Sequence, residues 1–205
     1  MLELKNVAFS HSGRLLQQGL SFVAERGKVT AVSGPSGCGK TTMLRAILGF
    51  HPVDKGFISI DGELVTALSA QAFRQLVAFV PQELSFPQDR VKDLVELPFR
   101  LKANSSQPFS RERVMDQWHR LGLDSSLYDK RLSDISGGER QRIMIANLGL
   151  LGKPLVLVDE PTSALDPQSA SLVATFLQEL ALKGAAVLAV THSTEFVCDN
   201  RILLS

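Results

Sequence analysis

The sequence has few of the features of secreted, membrane-spanning and nucleic-acid-binding proteins. Its two cysteines, Cys38 and Cys198, lie far apart, so neither a disulfide framework nor a metal site built from cysteines is expected. Apolar runs such as 155–158 and 185–190 are much shorter than the roughly 18 to 20 residues that cross a bilayer. Lysine and arginine total 22 against 21 aspartates and glutamates, so no nucleic-acid partner is expected.

The composition that remains is typical of a soluble globular chain. Hydrophobic residues make up 44% of the 205 residues, which is enough to bury a substantial core. The first residues, MLELKN, lack the charged start and the apolar stretch of a secretory signal. These features predict a protein of a reducing, cytosolic compartment.

The first part of the chain predicts an antiparallel β layer. Residues 2–9 and 15–24 mix apolar and polar side chains in short alternation, without a helical stripe. Residues 57–60 predict a strand that enters a tight turn at Asp61-Gly62, and residues 76–80 predict a strand that ends at Pro81.

The last part of the chain alternates between helices and strands. From Gly137 the pattern is a helix, a strand at 155–158, a helix after Pro167 and a strand at 187–190. This alternation is typical of a parallel sheet with right-handed crossovers.

Between these two parts, the sequence predicts a helical lobe. One predicted helical face is formed by Val91, Leu94, Val95 and Leu101, and a second by Val114, Met115, Trp118 and Leu121. The polar residues 102–110 predict a loop between the two helices, and we expect this loop to be mobile.

A phosphate-binding loop is predicted between the strand at 29–32 and a following helix. Its residues match G-x-x-x-x-G-K-[ST], in which glycines expose backbone N–H groups to an anion at a helix N-terminus. We expect Lys40 to reach the terminal phosphates, Thr41 to bind magnesium and Thr42 to donate to the phosphate nearest the ribose. The predicted phosphate-binding residues are Gly34, Pro35, Ser36, Gly37, Cys38, Gly39, Lys40, Thr41 and Thr42.

Two simpler interpretations apply to this loop. The pattern is also compatible with a glycine-rich turn that carries a solvated lysine. Cys38 lies in a field that favours a reactive thiolate, but a small residue at a variable loop position explains it as well.

The apolar strand at 155–158 ends in two carboxylates. Asp159 is predicted to bind magnesium, and Glu160 to polarise the water that attacks the γ-phosphate. The alternative is a strand that simply meets solvent with two surface acids.

A second phosphate site is predicted at residues 135–139. Ser136 and Glu139 have the spacing of a helix capping box, but capping alone does not require Gly137 and Gly138. These glycines leave the helix N-terminus open to the close approach of an anion.

Taken together, GPSGCGKTT, Gln82, ISGGERQR, LVLVDEPTSALD and His192 resemble the nucleotide-binding domain of ATP-binding-cassette (ABC) transporters, and the match runs from about Leu2 to Leu204. The resemblance implies an α/β P-loop NTPase with a mixed or parallel sheet core, an N-terminal antiparallel layer and an inserted helical lobe. It implies one domain over 1–205, with the core at 1–82 and 136–205 and the lobe at 83–135.

The resemblance also implies how two copies share ATP. Ser136 and Gly138 would contact the γ-phosphate of ATP bound to the other subunit, and residues 163–166 would cross the dimer seam. His192 would contact the γ-phosphate beside Glu160 as a catalytic residue, and Gln82 would sense both magnesium and the transport partner.

Each of these residues has an alternative role. His192 could be a partly buried histidine at a strand end, and Gln82 a polar residue of a turn. Asp166 could be a helix N-cap before Pro167. Members of the family usually stack an aromatic residue on adenine; here His11 occupies that position, with Phe9 two residues earlier as the other candidate.

The function that this resemblance implies is ATP hydrolysis coupled to transport, with ATP and Mg²⁺ as ligands. The expected partners are a second ATPase subunit, identical or different, and a separate integral membrane permease. The expected location is cytoplasmic, on the inner face of the membrane, with a permease helix in a groove formed by Ser85, Phe86, Pro87 and the segment to Phe99.

Two other functions are compatible with a P-loop in a chain of this size. A soluble ABC protein of DNA repair or translation is disfavoured by the single cassette, the absence of a long heptad insertion and the absence of a basic patch. A P-loop kinase for small molecules does not explain ISGGE, and it would consume ATP only when an acceptor is present.

Overall fold

A computed structural model describes residues 1–83, 87–105 and 107–204. Its strands and helices are, in chain order, β1 (Leu2–His11), β2 (Arg14–Ala24), β3 (Val29–Ser33), α1 (Lys40–Ile47), β4 (Lys55–Ile60), β5 (Glu63–Leu64), α2 (Ala70–Arg74), β6 (Val77–Val80), α3 (Val91–Glu96), α4 (Arg111–Arg120), α5 (Gly137–Leu151), β7 (Leu155–Asp159), α6 (Pro167–Leu182), β8 (Ala186–Val190) and β9 (Asn200–Leu203). The α/β architecture predicted from the sequence is confirmed.

The central element is a parallel sheet of five strands in the order β6-β7-β8-β3-β9. Every residue of β3, β7 and β8 is buried. A strand covered on both faces needs apolar side chains in both directions, and this explains the apolar runs LVLV in β7 and AVLAV in β8. The edge strand β9 was not predicted.

A second sheet of four strands is antiparallel, in the order β2-β1-β4-β5, as the sequence predicts. Asp61 and Gly62 connect β4 to β5 with φ angles of 50° and 86°. Two successive positive φ values match the right-handed twist of a hairpin. Asp61 also pairs with the N-terminal ammonium group and with Arg26.

The parallel sheet separates two apolar clusters. Leu155 and Leu157 of β7 face the cluster that contains α1 and the antiparallel sheet. Val156 and Val158 face the cluster that contains α5, α6 and the helical lobe. The lobe and the core therefore share one continuous interior.

The helical lobe differs from the prediction in two details. Leu101 is 53% exposed and is not on the face of α3, because the helix ends at Glu96 and continues as a 3₁₀ turn that contains Pro98. Within the predicted loop 102–110, Lys102–Asn104 form a 3₁₀ turn. Asn104 is buried and donates to the carbonyl oxygen of Pro98, and the Gln107 side chain donates to that of Leu151.

Polar contacts join the lobe to the core in addition to the shared interior. Arg120 of α4 forms an ion pair with Glu179 of α6. Arg142 of α5 donates to the carbonyl oxygens of Leu121 and Gly122 at 2.9 and 3.2 Å. Among the described residues, no helix combines the length and apolar character required to span a membrane.

Candidate nucleotide site

A polar cleft of about 310 Å³ lies at the carboxyl ends of the central parallel strands. In an open α/β sheet this edge is the usual place for a ligand. The structure brings most of the predicted site residues together here. The lining residues are His11, Leu16, Ser36, Gly37, Gly39, Lys40, Thr41, Thr42, Gln82, Asp159, Glu160 and His192.

Two sets of contacts hold the phosphate-binding loop: hydrogen bonds from Lys40 to loop carbonyls, and packing of Gly39 against Phe9. Lys40 is 7% exposed, and its Nζ donates to the carbonyl oxygens of Gly34 and Pro35 at 2.8 and 3.0 Å. Gly39 has φ 99°, and a Cβ there would lie 2.7 Å from the Phe9 ring, so only glycine fits. Cys38 is buried in the apolar cluster next to α1, which favours its interpretation as a packing residue.

The loop is also supported by a residue that the sequence pattern did not indicate. The Nε2 of Gln17, on β2, donates to the carbonyl oxygen of Cys38 at 3.0 Å and is buried. Gln17 is followed on the same strand by Gln18, which is exposed, so the residue type alone does not distinguish the buried glutamine from its solvent-facing neighbour.

The structure separates the two candidates for contact with adenine. Phe9 is fully buried beneath Gly39. His11 is exposed and lines the cleft, and its ring centroid lies 6.2 Å from that of His51. His11 therefore remains the predicted adenine contact.

Thr41 and Asp159 supply the oxygen atoms expected around a magnesium ion. Thr41 Oγ1 donates to Asp159 Oδ2 at 3.0 Å, and Gln82 lines the same cleft. Burial raises the pKa of the Asp159 carboxyl, although the Thr41 hydroxyl and the Lys40 ammonium oppose this shift. Mg²⁺ prefers a carboxylate and a few other oxygens together with substrate phosphates, so these residues fit the predicted ion.

Replacement of Asp159 by asparagine is expected to stabilise the nucleotide-free protein. Asparagine still accepts from Thr41 but removes a buried charge, so the free energy of unfolding should rise by about 1 kcal/mol at neutral pH. For a chain of this size, that change raises Tm by about 2–4 °C. Thermal melts of both proteins without nucleotide measure the difference.

The pH dependence of this difference follows from the raised pKa of Asp159. Below the ordinary value of 3.8 the carboxyl is protonated in both the folded and the unfolded protein, so the cost of burying its charge is absent. That cost grows as the pH rises from this ordinary value to the raised pKa and is complete above it, so the stability advantage of Asp159→Asn should grow over this pH range. A variant that is less stable than the wild type at neutral pH would contradict the argument.

Glu160 and His192 form the second half of the cleft. Glu160 is 4% exposed, and its Oε2 accepts from the backbone N–H of His192 at 3.2 Å. The His192 Nε2 lies 3.2 Å from Glu160 Oε1. His192 is thus an exposed side chain that contacts a buried carboxylate.

Glu160 also has an unusual backbone, which the sequence did not indicate. Its φ is 51°, in the left-handed region that non-glycine residues rarely adopt. Its carbonyl oxygen accepts from Gln141 Nε2 at 2.7 Å and from Ser163 Oγ at 3.2 Å. Strained backbone of this kind persists where surrounding contacts fix it, and it is common at active sites.

The predicted second phosphate site at 135–139, called here the signature segment, lies at the start of α5, the signature helix. Its residues do not line the cleft of their own chain. Ser136 and Glu139 form the expected capping box, with bonds of 2.7 and 3.1 Å. A Cβ added to Gly137 would meet no heavy atom within 4 Å, whereas one at Gly138 would lie 3.2 Å from the carbonyl oxygen of Ala164. Gly137 is therefore open to a large ligand, and Gly138 is packed against the segment after Glu160.

Two further predictions concern residues near this segment. Asp166 accepts from the backbone of Ser169 at 2.9 Å and Pro167 begins α6, so the N-cap interpretation is confirmed. Gln82 is exposed at the cleft, but Ser85 and Phe86 of the predicted partner groove lie outside the described residues.

Comparison with known proteins agrees with this geometry. The model of a family described as ABC transporter matches residues 17–163, and a second model, for an AAA domain, matches residues 132–199. The glutamate/aspartate import ATP-binding protein GltL of Escherichia coli (strain K12) is 32% identical over 99% of this chain and 86% of its own length. The ABC transporter ATP-binding/permease protein Rv1747 of Mycobacterium tuberculosis is 36% identical over 100% of this chain and 24% of its own length.

Solved structures of ATP-binding cassettes have the same fold as this chain. A dimeric, post-hydrolysis state of the ATP-binding cassette MJ0796, bound to ADP and Pi, superposes with a TM-score of 0.84 at 26% identity. The match covers 100% of this chain and 94% of that one. The chain spans between 24% and 55% of the length of the first curated relatives that it matches. A family model that covers most of the sequence, together with relatives above 30% identity and a site of the expected geometry, shows that this chain belongs to the ABC transporter family as one of its P-loop ATPase cassettes.

Proposed function

We propose that this chain binds and hydrolyses ATP as a subunit of an ABC transporter, pairs with a second ATPase subunit around two ATP molecules, and drives a separate membrane permease from the cytoplasmic face of the membrane. The relatives of this chain include an import ATP-binding protein and an ATP-binding/permease protein, which supports a role in transport.

In this proposal each half of the cleft has a separate task. Lys40 exchanges the two loop carbonyls for oxygens of the β- and γ-phosphates, and the N–H groups of the loop bind the remaining phosphate oxygens. Thr41, Asp159 and Gln82 would hold Mg²⁺, which would neutralise charge on the phosphates.

Glu160 is placed to accept a proton from the attacking water. The bond from this water to the γ-phosphorus forms as the bond to the β-phosphate oxygen breaks, and ADP leaves with the electron pair. The buried carboxylate takes the proton, while His192 fixes its orientation through the two 3.2 Å contacts. His192 is exposed, so its ring can also reach the γ-phosphate.

The observation that carries the dimer proposal is the separation of the two phosphate-binding elements. The phosphate loop and Glu160 line one cleft, whereas the open cap at Ser136 and Gly137 is not part of that lining. A second copy related by a two-fold axis would place its cap on the first copy's nucleotide, and the reverse. The dimeric state of the related MJ0796 cassette supports this arrangement.

A charge at Gly137 tests this arrangement without disturbing the fold. The space around Gly137 is open and aspartate is favourable in the first turn of a helix, so Gly137→Asp should fold with unchanged or slightly higher stability. Its carboxylate would repel the partner's γ-phosphate, so ATP hydrolysis should fall by about 100-fold. Steady-state phosphate release and thermal melts measure the two effects.

Mixing two inactive variants shows whether the site is shared. A pair of Lys40→Ala and Gly137→Asp subunits contains one site with both elements intact and one with both damaged. Random pairing at equal concentrations should therefore restore up to about a quarter of wild-type hydrolysis. A mixture that is no faster than the two variants measured separately would contradict the shared site.

A further inference from the structure

A buried glutamine connects the start of the signature helix to the backbone of Glu160. Gln141 is the fifth residue of α5 and is 5% exposed. Its Nε2 donates to the carbonyl oxygen of Glu160 at 2.7 Å. At a rise of about 1.5 Å per residue, this contact lies about 7 Å along the helix from the cap at Ser136.

The Glu160 peptide units are fixed by three different elements. The N–H of Glu160 donates to the carbonyl oxygen of Val190 on β8 at 2.8 Å. Its carbonyl oxygen is bound by Gln141 of α5 and by the Oγ of Ser163, which follows β7. With φ at 51°, the residue depends on these contacts to keep a backbone conformation that it would not otherwise favour.

The Gln141 amide is oriented with its NH₂ group, rather than its oxygen, toward the carbonyl oxygen of Glu160. Among the described residues, Gln141 Oε1 is buried and has no hydrogen-bond partner. Rotation of the amide would place this oxygen against the carbonyl oxygen of Glu160, so the present orientation is the favourable one. The side chain therefore leaves a buried acceptor unpaired in order to donate to Glu160, which points to a functional use of that bond.

We propose that Gln141 is a positioning residue that sets the direction of the Glu160 carboxylate and couples it to the position of the signature helix. A shift of the first turns of α5, such as contact with the partner's nucleotide would produce, pulls on the Glu160 carbonyl through this bond. The Glu160 carboxylate then changes its direction relative to the attacking water. This inference rests on the proposed ATPase function and adds to it the link between the second phosphate site and the proton acceptor.

The first test replaces Gln141 by leucine, which preserves the volume of the side chain but removes the donor. Because a misplacement of about 1 Å at a reacting group is costly, kcat for ATP hydrolysis should fall by about 10- to 100-fold. The Kd for ATP, measured with a fluorescent ATP analogue, should stay within about twofold, since Gln141 is not among the residues that line the cleft.

Asn147→Leu is the matched control for this variant. Asn147 is another buried amide on α5, and its side chain has no hydrogen-bond partner in the described part of the chain. This control should retain wild-type kcat. A Gln141→Leu protein whose kcat equals that of the control would overturn the inference.

The second test uses Gln141→Glu and does not depend on the leucine variant being folded. A protonated carboxyl can donate to the Glu160 carbonyl oxygen, whereas a carboxylate can only repel it. The ratio of kcat for Gln141→Glu to kcat for the wild type should therefore rise at least about threefold between about pH 8 and about pH 6. Division by the wild-type rate at each pH separates the effect of the substitution from the pH dependence of the unsubstituted protein.

The outcomes distinguish this inference from the proposed function. A wild-type protein that hydrolyses no ATP as a dimer with Mg²⁺ would contradict the proposed function itself. Active wild type with a pH-independent kcat ratio for Gln141→Glu would contradict only the positioning role of Gln141.

Discussion

Replacement of Lys40 by alanine is expected to abolish tight ATP binding and to lower ATP hydrolysis by at least about 100-fold, equivalent to about 2.7 kcal/mol. Lys40 is almost fully buried, and both of its hydrogen bonds go to carbonyl oxygens of the loop that it serves. Alanine removes an ammonium group from the lining of the cleft, and it also leaves those two carbonyls without their donor. Isothermal titration with ATP and Mg²⁺, together with phosphate release, measures both losses.

The control for Lys40→Ala is Lys183→Ala. Lys183 is an exposed lysine that follows α6, and it does not line the cleft. This variant makes the same change in net charge, and it should bind and hydrolyse ATP like the wild type. If Lys40→Ala kept undiminished turnover, the phosphate site would lie elsewhere on the chain.

Replacement of Glu160 by glutamine is expected to stop hydrolysis and to trap the ATP-bound dimer. Glutamine has nearly the same shape and can still accept from the His192 N–H, so ATP binding should be preserved. It cannot take a proton from water, so kcat should fall by at least about 100-fold. We expect the two subunits to separate only after ATP is hydrolysed, so the dimer should accumulate with ATP and Mg²⁺ when hydrolysis stops.

Size-exclusion chromatography with light scattering measures the mass of the Glu160→Gln protein with and without ATP. Glu195→Gln is a suitable control because Glu195 is exposed and outside the cleft. Only monomer in the Glu160→Gln sample at saturating ATP and Mg²⁺ would contradict the dimer mechanism.

The sequence was sufficient to predict the elements whose chemistry is local. A glycine-rich loop between a strand and a helix has few alternatives, and Lys40 and Thr41 lie in the cleft as predicted. The buried strands β7 and β8 were predictable because burial on both faces requires continuous apolar runs. The capping box at Ser136 was predictable because its contacts are local and lie within four consecutive residues.

Features that depend on distant contacts were not predicted. Strand β9 contains only two apolar residues, and it exists because β3 offers it an unpaired edge. The contacts of Gln17 with the phosphate loop and of Gln141 with Glu160 join residues 21 and 19 positions apart. A glutamine has no periodicity that marks it as buried, so only the fold shows which of its atoms has a partner.

The common interior of the helical lobe and the core has a mechanical consequence. Trp118 of the lobe and Val158 of the central sheet belong to the same apolar cluster, and packed interiors are nearly incompressible. A force applied to the outer surface of the lobe is therefore not absorbed by a soft joint between two bodies. In the proposed function, such a force would reach α5 as a displacement of the whole helix, and the lobe would then act as a stiff connection between a docked partner and the nucleotide.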